Sequence, residues 1–301
     1  MRTSLRIASA VAVSAVLVGG LTACGGSKAG TGSDAKGGSS AAASAGASAS
    51  AGASGGPGSA AGGSVKDLAP KEALLASAAV MDKAGSAKIT AKGATADDGG
   101  TGVIVWKSPG AFEMTTKNEG KDYKVLLIGD MMYVGAPEQL AVLAGGKQWM
   151  KIDLKAANKA AGSEDTGSVA TMAQMMNPAI QLAAAAPTAT KVGSEKVDGV
   201  DTVHYRSVVP VETLVAGMNL TAEVKAKVLE QLKKGGSSTT VELWINAKGE
   251  LVQLSGNQLG VGDGSGTSTA KYSELGTVAA PKAPAADQVF DLAEVLAKAG
   301  Q

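Results

Sequence analysis

The chain has 301 residues, of which 28 are basic and 27 acidic, so its formal net charge is only +1 at pH 7. This balance argues against a nucleic-acid-binding protein, because phosphate binding needs a concentrated basic surface. The sequence contains one cysteine and one histidine. An intrachain disulfide and a histidine-rich metal site are therefore excluded.

The first 23 residues have the layout of a secretory signal. Arg2 and Arg6 form a short basic segment, and Ile7 to Gly20 is an uncharged, mostly apolar stretch that is too short to span a bilayer comfortably. The next four residues, "LTAC" (21–24), resemble the lipobox of bacterial lipoproteins. In that motif the cysteine is linked to diacylglycerol before the signal is cleaved.

The lipobox resemblance implies that Cys24 becomes the first residue of the mature chain and carries a diacylglyceryl group. Two acyl chains anchor a protein stably where one would not. The expected location is the extracellular face of the cell membrane, with the membrane itself as a partner through Cys24. The alternative is an ordinary signal peptide followed by an incidental cysteine.

A low-complexity segment follows Cys24. In residues 25–64, 35 of 40 positions are Gly, Ala or Ser. Such a composition cannot bury enough apolar surface to offset chain entropy, so we predict a disordered tether over residues 24–64. As a flexible coil it would hold the rest of the chain roughly 35 Å from the membrane on average.

The remaining residues, 65–301, are long enough for one large domain with a real core. They carry 24 basic and 26 acidic residues. Proline at the first turn and apolar residues at helical spacing predict a helix over 70–84, which ends at Gly85. Short β-compatible segments between turn residues then predict strands over 88–94, 102–107 and 112–117.

The middle of the domain begins with "VLLIGDMMYV" (125–134). Its Gly129-Asp130 lies between two apolar runs and predicts a two-residue hairpin whose strands are covered on both faces. Helical spacing returns over 168–187, with an interruption near Pro178. Strands are next predicted over 190–210, with a turn at Asp198-Gly199.

The last part of the domain begins with an amphipathic helix over 221–234. A hairpin over 239–256 and a strand over 269–273 follow. We predict a closing helix on the stripe formed by Val289, Leu292, Val295 and Leu296. The order of elements predicts an α+β fold in which a strongly curved antiparallel sheet encloses helices on its concave side.

Several motifs resemble, in order, the LppX/LprG (LppX_LprAFG) family of actinobacterial lipoproteins, which has a LolA-like fold. They are "IGDMMYVGAP", "KQWMKID", "KVGSEKVDGVDTVHYRSVVPVE", "VELWINAKGELVQL", "AKYSELG" and "APKAPAADQVFDLAEVL". The resemblance implies a U-shaped half-barrel sheet whose concave face is lined by helices. It also implies a cavity that receives the acyl chains of a lipid or lipoglycan, with an envelope transporter as a further candidate partner.

Ten methionines against two phenylalanines suit a surface that must adapt to variable apolar ligands. The candidates for lining a lipid cavity are Met114, Leu126, Ile128, Met172, Met175, Met176, Ile180 and Leu182. The alternative is that these side chains fill the core between helix and sheet.

No cofactor, metal or catalytic residue is predicted, and we expect a protein that is not an enzyme. A catalytic triad would have to use His204, which lies in a predicted strand without a Gly-x-Ser-x-Gly motif. Two functions remain: a tethered lipid carrier or chaperone of the envelope, and a tethered adaptor or sensor that binds an envelope protein. An apolar cavity above about 1,000 Å³ would favour acyl chains, whereas a filled core with an exposed apolar patch would favour a protein partner.

Overall fold

The computed structural model describes residues 64–93, 99–107, 110–118, 121–160, 174–257, 267–291 and 295. All of them belong to the unit that contains Ser64–Gln301. The signal segment, Cys24 and the tether, apart from Ser64, lie outside the described residues, as do Met172, Leu292 and Leu296. The lipidation site and the tether therefore stay predictions.

The described residues form one sheet of twelve strands in the order β12-β6-β5-β4-β3-β2-β1-β11-β10-β9-β8-β7. The sheet is curved and unclosed, and the fold is α+β. Every strand pair is antiparallel except β12 with β6. The strands are β1 Ser86–Lys92, β2 Gly99–Val105, β3 Ala111–Asn118, β4 Lys121–Ile128, β5 Met131–Gly135, β6 Trp149–Asp153, β7 Thr190–Val197, β8 Val200–Pro210, β9 Ser238–Asn246, β10 Leu251–Asn257, β11 Thr267–Ser273 and β12 Val289–Asp291.

Six α-helices lie within the described residues: α1 Pro70–Ala84, α2 Glu138–Leu143, α3 Leu154–Ala160, α4 Pro178–Ala185, α5 Val211–Ala216 and α6 Ala222–Lys234. Short 3₁₀ turns cover Val65–Asp67, Ala186–Thr188 and Ala286–Gln288. Residues 174–176 are helical, and Asn177 separates them from α4 by capping its first turn. The predicted interruption near Pro178 is thus confirmed.

Helix α1 begins and ends where its sequence predicts. Pro70 takes the first helical position, where its missing N–H costs nothing, and Gly85 ends the helix in a left-handed conformation with φ 73°. Its buried residues recur every three or four positions and pack on one face of the sheet, which we call the inner face. The main apolar cluster on this face joins α1 and α4 to Ile89, Ile104, Tyr205 and Leu243.

The predicted hairpins are also confirmed. Gly129 has φ 55° between β4 and β5, and Asp198 and Gly199 have φ 49° and 83° between β7 and β8. These positive angles match the tight turns that glycine and aspartate allow. As predicted, β4 is covered on both faces, because neighbouring Leu126 and Leu127 are both buried.

Glycines permit a close approach between β2 and β3. A Cβ at Gly102 would overlap the carbonyl oxygen of Glu113, and one at Gly100 would overlap that of Thr115. Glycine inside a strand marks a bend or a close backbone approach. The two glycines therefore allow the sheet to curve at this point.

The closing helix was predicted wrongly at its start. Val289–Asp291 is strand β12, which pairs in parallel with β6, and Val295 is helical. The free edge of β6 offers unpaired backbone groups, and a short Val-Phe segment satisfies them while burying Phe290. The helical spacing of apolar residues in a sequence gives no information on such a long-range strand partner.

Candidate ligand-binding site

The strand register decides which predicted cavity residues share a face. Residues paired directly across strands point to the same side of a sheet. One inner-face row runs from Met114 through Val125, Val134 and Met150 to Phe290. Met114 lies on this row and is buried in the main cluster.

Leu126 and Ile128 lie on the opposite, outer face. Leu126 pairs with Glu113 and Tyr133, so its side chain points away from Met114, and it is only 2% exposed. Because Ile128 is two residues further along the same strand, it shares that outer face. The structure therefore does not bring these two residues together with Met114.

The remaining described candidates lie around α4. Leu182 is fully buried in the main cluster, and Met176 packs against that cluster. Met175 instead packs against a second cluster built from α5 and α6. Ile180 is half-buried and lines a pocket on the helices.

That helix pocket has a volume of about 390 Å³ and lies between α1, α4 and α5. Its lining is mostly alanine, with a few polar groups: Ala78, Ala79, Asp82, Asn177, Ala179, Ile180, Ala183, Ala184, Thr213 and Gly217. Small side chains on packed helices leave this shallow space.

A larger pocket of about 560 Å³ lies beside the edge strand β12, and we call it the edge pocket. Both faces of the sheet contribute to it because β12 is an edge strand. Its lining residues are Tyr133, Leu143, Ala144, Lys147, Lys151, Pro284, Ala286, Val289, Phe290, Asp291 and Val295. Neither of these two pockets among the described residues reaches about 1,000 Å³, the volume above which a cavity would favour acyl chains.

The edge pocket combines apolar walls with cationic groups. Phe290 is buried in a third apolar cluster with Val134 and Met150. The Lys147 ammonium donates to the carbonyl oxygen of Val289 at 3.0 Å, and the Lys151 ammonium lies 3.7 Å from a carboxylate oxygen of Asp291. Such a lining suits a molecule with an apolar body and an anionic or polar end.

The sequence analysis missed this pocket. Lys151 lies in the motif "KQWMKID", and its alternation with Met150 and Ile152 could have predicted a strand with Lys151 on the opposite face from them. Phe290, however, was assigned to a helix. Without β12 in place, nothing in the sequence brings Phe290 next to Met150.

His204 belongs to a polar cluster on the outer face of β7, β8 and β9. Its Nδ1 lies 3.0 Å from Glu195 and its Nε2 lies 2.6 Å from Glu242. The ring stacks on Trp244 with centroids 4.4 Å apart, and Glu242 also accepts from Arg206 at 2.6 Å. The histidine thus joins three strands.

The described residues contain no group of three or more His, Cys, Asp or Glu residues arranged to hold a metal ion. Within the same part of the chain, every helix is too short or too polar to cross a membrane.

No family model matches the chain. Among curated proteins, it is similar to an uncharacterized 31.2 kDa protein of the rplA-rplJ intergenic region of Streptomyces griseus. The two are 32% identical over 174 residues, which is 57% of this chain and 57% of that protein. The chain therefore spans little more than half of that relative's length.

Among solved structures, LprF from Mycobacterium bovis is 13% identical with a TM-score of 0.47, over 71% of this chain and 96% of LprF. The lipoprotein LppX of Mycobacterium tuberculosis is 16% identical with a TM-score of 0.41, over 69% of this chain and 97% of LppX. A LolA superfamily protein of Nitrosomonas europaea is 9% identical with a TM-score of 0.25, over 71% and 96% of the two chains. The chain has the curved-sheet α+β fold that the sequence resemblance predicts.

Proposed function

We propose that the chain is a lipid-anchored envelope protein that binds an acyl chain of a lipid or lipoglycan and acts as a carrier or chaperone. The observation that carries this proposal is the edge pocket, with its apolar wall and its two lysines. Its volume of about 560 Å³ lies within the usual range of small-ligand sites. It therefore suits part of one acyl chain rather than several whole chains.

The energetics are adequate for such a ligand. Each buried methylene contributes about 0.8 kcal/mol, so about ten methylenes contribute roughly 8 kcal/mol before the costs of ordering. After those costs, binding weaker than micromolar is expected. A carrier must release its ligand, and this range permits both capture and release.

The proposed anchor is diacylglyceryl-Cys24, on the extracellular side of the membrane. Its support is the signal layout and the "LTAC" motif, together with the likeness to LppX, a lipoprotein. Mass spectrometry of the N-terminal peptide should then find a diacylglyceryl group on Cys24, and a Cys24→Ser chain should lack both this group and cleavage before position 24. An exported chain whose Cys24 carries no acyl group would contradict the proposed anchorage.

The proposed role is binding rather than catalysis. Both ring nitrogens of His204 face carboxylates, and its ring is stacked on Trp244. A histidine held in this way is poorly placed to exchange protons with a substrate. Its contacts instead support a structural role in the sheet.

The proposal is tested by native mass spectrometry of the full-length chain from a bacterial host, followed by uptake of a fluorescent phospholipid. Ala286→Trp places a large side chain at the edge pocket and should reduce lipid recovery and uptake. Ala285→Trp is the matched control, because Ala285 is the exposed neighbour and does not line the pocket. Equal uptake by both variants, or no uptake of the fluorescent phospholipid by the unmodified chain, would contradict the proposal.

A second candidate is a tethered adaptor or sensor for an envelope protein. It is favoured by the filled main core and by the volumes of the two pockets, which are both below the roughly 1,000 Å³ that would favour whole acyl chains. The two candidates differ in their ligand. Lipid uptake that Ala286→Trp abolishes supports the carrier, whereas a lipid-free chain that co-purifies with one envelope protein supports the adaptor.

A further inference from the structure

Two neighbouring apolar side chains project into solvent at the end of α2. Val142 is 72% exposed and Leu143 is 66% exposed, and no other large apolar side chain among the described residues exceeds 51%. We call this pair the α2 tip. Leu140 and Ala144 hold the same segment against the cluster of Val134, Met150 and Phe290. The α2 tip therefore projects from a segment that is itself packed against the rest of the domain.

The α2 tip borders the edge pocket, because Leu143 and Ala144 are among its lining residues. Lys147 follows the tip by four residues and lines the same pocket. Its ammonium contacts a neutral carbonyl oxygen, and it forms no ion pair within the described part of the chain. Apolar side chains beside an unneutralised cation match the chemistry of an anionic bilayer surface.

We propose that the α2 tip and Lys147 form the docking surface with which the domain rests on an anionic membrane. Val142 and Leu143 enter the acyl boundary, and Lys147 contacts a phosphate of a lipid headgroup. The acidic groups nearby are Glu138 at the start of α2 and Asp291, which is paired with Lys151. Within the described residues, neither carboxylate forms an ion pair with the Lys147 ammonium.

The size of the tip favours a membrane over a protein partner. Two side chains provide much less than the roughly 1,200 Å² that a stable protein interface buries. A protein already held near a bilayer needs only weak docking, since tethering raises the effective concentration. The predicted tether of residues 24–64 allows an average reach of roughly 35 Å.

Docking would also place the opening of the edge pocket at the membrane, so that an acyl chain could enter without crossing water. This part of the inference rests on the proposed lipid-binding function. The docking itself does not, because it requires no cargo in the pocket. The two are therefore tested by separate measurements.

The test uses the full-length, acylated chain reconstituted in vesicles of phosphatidylcholine with or without phosphatidylglycerol. Leu143→Cys is labelled with an environment-sensitive dye, since an acylated Cys24 leaves the introduced cysteine as the free thiol. Val192→Cys on β7 is the matched control, because Val192 is 51% exposed at the other end of the sheet. Mass analysis of each sample verifies acylation independently.

We expect a blue shift of the dye emission at position 143, together with quenching by bilayer-embedded nitroxide lipids. Both effects should be stronger with phosphatidylglycerol, and neither should occur at position 192.

In the chain labelled at position 143, Lys147→Gln should remove the dependence on phosphatidylglycerol. With the dye placed at Val142→Cys, Leu143→Ser should weaken docking by about tenfold, which corresponds to most of one buried leucine side chain. Leu143→Ser, at an exposed position, should leave the thermal unfolding midpoint unchanged.

Equal emission at positions 143 and 192 in vesicles would overturn the proposal. A shift at position 143 that appears equally in buffer without vesicles or detergent would also overturn it, and would indicate contact with a second copy of the chain. Loss of lipid uptake with the vesicle signal intact would contradict only the carrier function. If acylation fails, each cysteine variant is combined with Cys24→Ser so that the introduced cysteine is again the free thiol, and the labelled chain is mixed with preformed vesicles, where the same outcomes decide.

Discussion

Tyr205 is the largest fully buried side chain among the described residues, and its hydroxyl has no hydrogen-bond partner there. It lies on the inner face of β8, within the main cluster. A buried polar group without a partner costs about 1–3 kcal/mol. The ring therefore stabilises the core while its hydroxyl weakens it.

We expect Tyr205→Phe to stabilise the chain by up to about 1 kcal/mol, because it keeps the ring and removes the unpaired oxygen. Tyr205→Leu should instead lose about 1–3 kcal/mol of packing. Urea unfolding of the two variants measures both values. If Tyr205→Phe proved as costly as Tyr205→Leu, the hydroxyl would have a partner in solution.

The same residue makes stability depend on alkaline pH. Burial raises the pKa of Tyr205 above its ordinary value of 10.0. Above about pH 10 a tyrosine in the unfolded chain ionises while the folded one stays protonated, so the free energy of unfolding falls as pH rises. Tyr205→Phe should reduce that fall without abolishing it, because burial also raises the pKa of Tyr272.

Elements whose signals are local could be predicted from the sequence. Pro70 and Gly85 mark the two ends of α1, and Gly129 and Gly199 mark hairpin turns, because each position needs a backbone conformation that few residues adopt. The sequences of short helices such as α2 and α5 contain no comparable residue that marks where the helix begins or ends. Each has only six residues and depends on packing more than on its own propensity.

Gly102→Ala tests the close approach of β2 and β3. The added methyl group would overlap the carbonyl oxygen of Glu113, so we expect a loss of about 1–3 kcal/mol. Gly193→Ala is the control in β7, because no atom lies within 4 Å of its added Cβ. It should be neutral or stabilise by up to about 1 kcal/mol through the unfolded chain.

Denaturant unfolding of the two variants measures this difference. Equal effects would mean that β2 and β3 separate easily, and that the curvature does not depend on glycine at position 102. A loss only at Gly102 would support the role of this glycine in bending the sheet.

The whole sheet consists of two meanders joined side by side. Strands β1 to β6 follow one another, as do β7 to β11, and β1 pairs with β11 to join them. The order within each meander could be predicted, because consecutive antiparallel strands usually pair. The joining pair and the β12–β6 pair could not, since both depend on contacts between distant parts of the chain.

For the same reason, the edge pocket was not predicted. Met114 and Leu182 were predicted to line a lipid cavity, but they are buried in the main cluster and do not line the edge pocket. Phe290 and Lys151 both line that pocket, and they come together in one sheet only when β12 pairs with β6. Sequence periodicity contains no information on that pairing.

The separate apolar clusters predict that the two ends of the sheet respond differently to mutation. Phe290→Leu, at a cost of about 1 kcal/mol, should speed hydrogen exchange mainly in β5, β6 and β12. Ile245→Val, of similar cost, lies in the main cluster and should act on β8 to β11. Amide exchange followed by mass spectrometry separates these outcomes. Uniform acceleration in both variants would show that the sheet opens as one unit.

The parallel pairing of β12 has a consequence for biogenesis. The pocket residues between Pro284 and Asp291 join a meander that was synthesised more than a hundred residues earlier. In the proposed carrier, the upstream strands would leave the membrane first during export, and the edge pocket would stay incomplete until this late segment arrives. Such a carrier would cross the membrane without a ligand and bind one only afterwards.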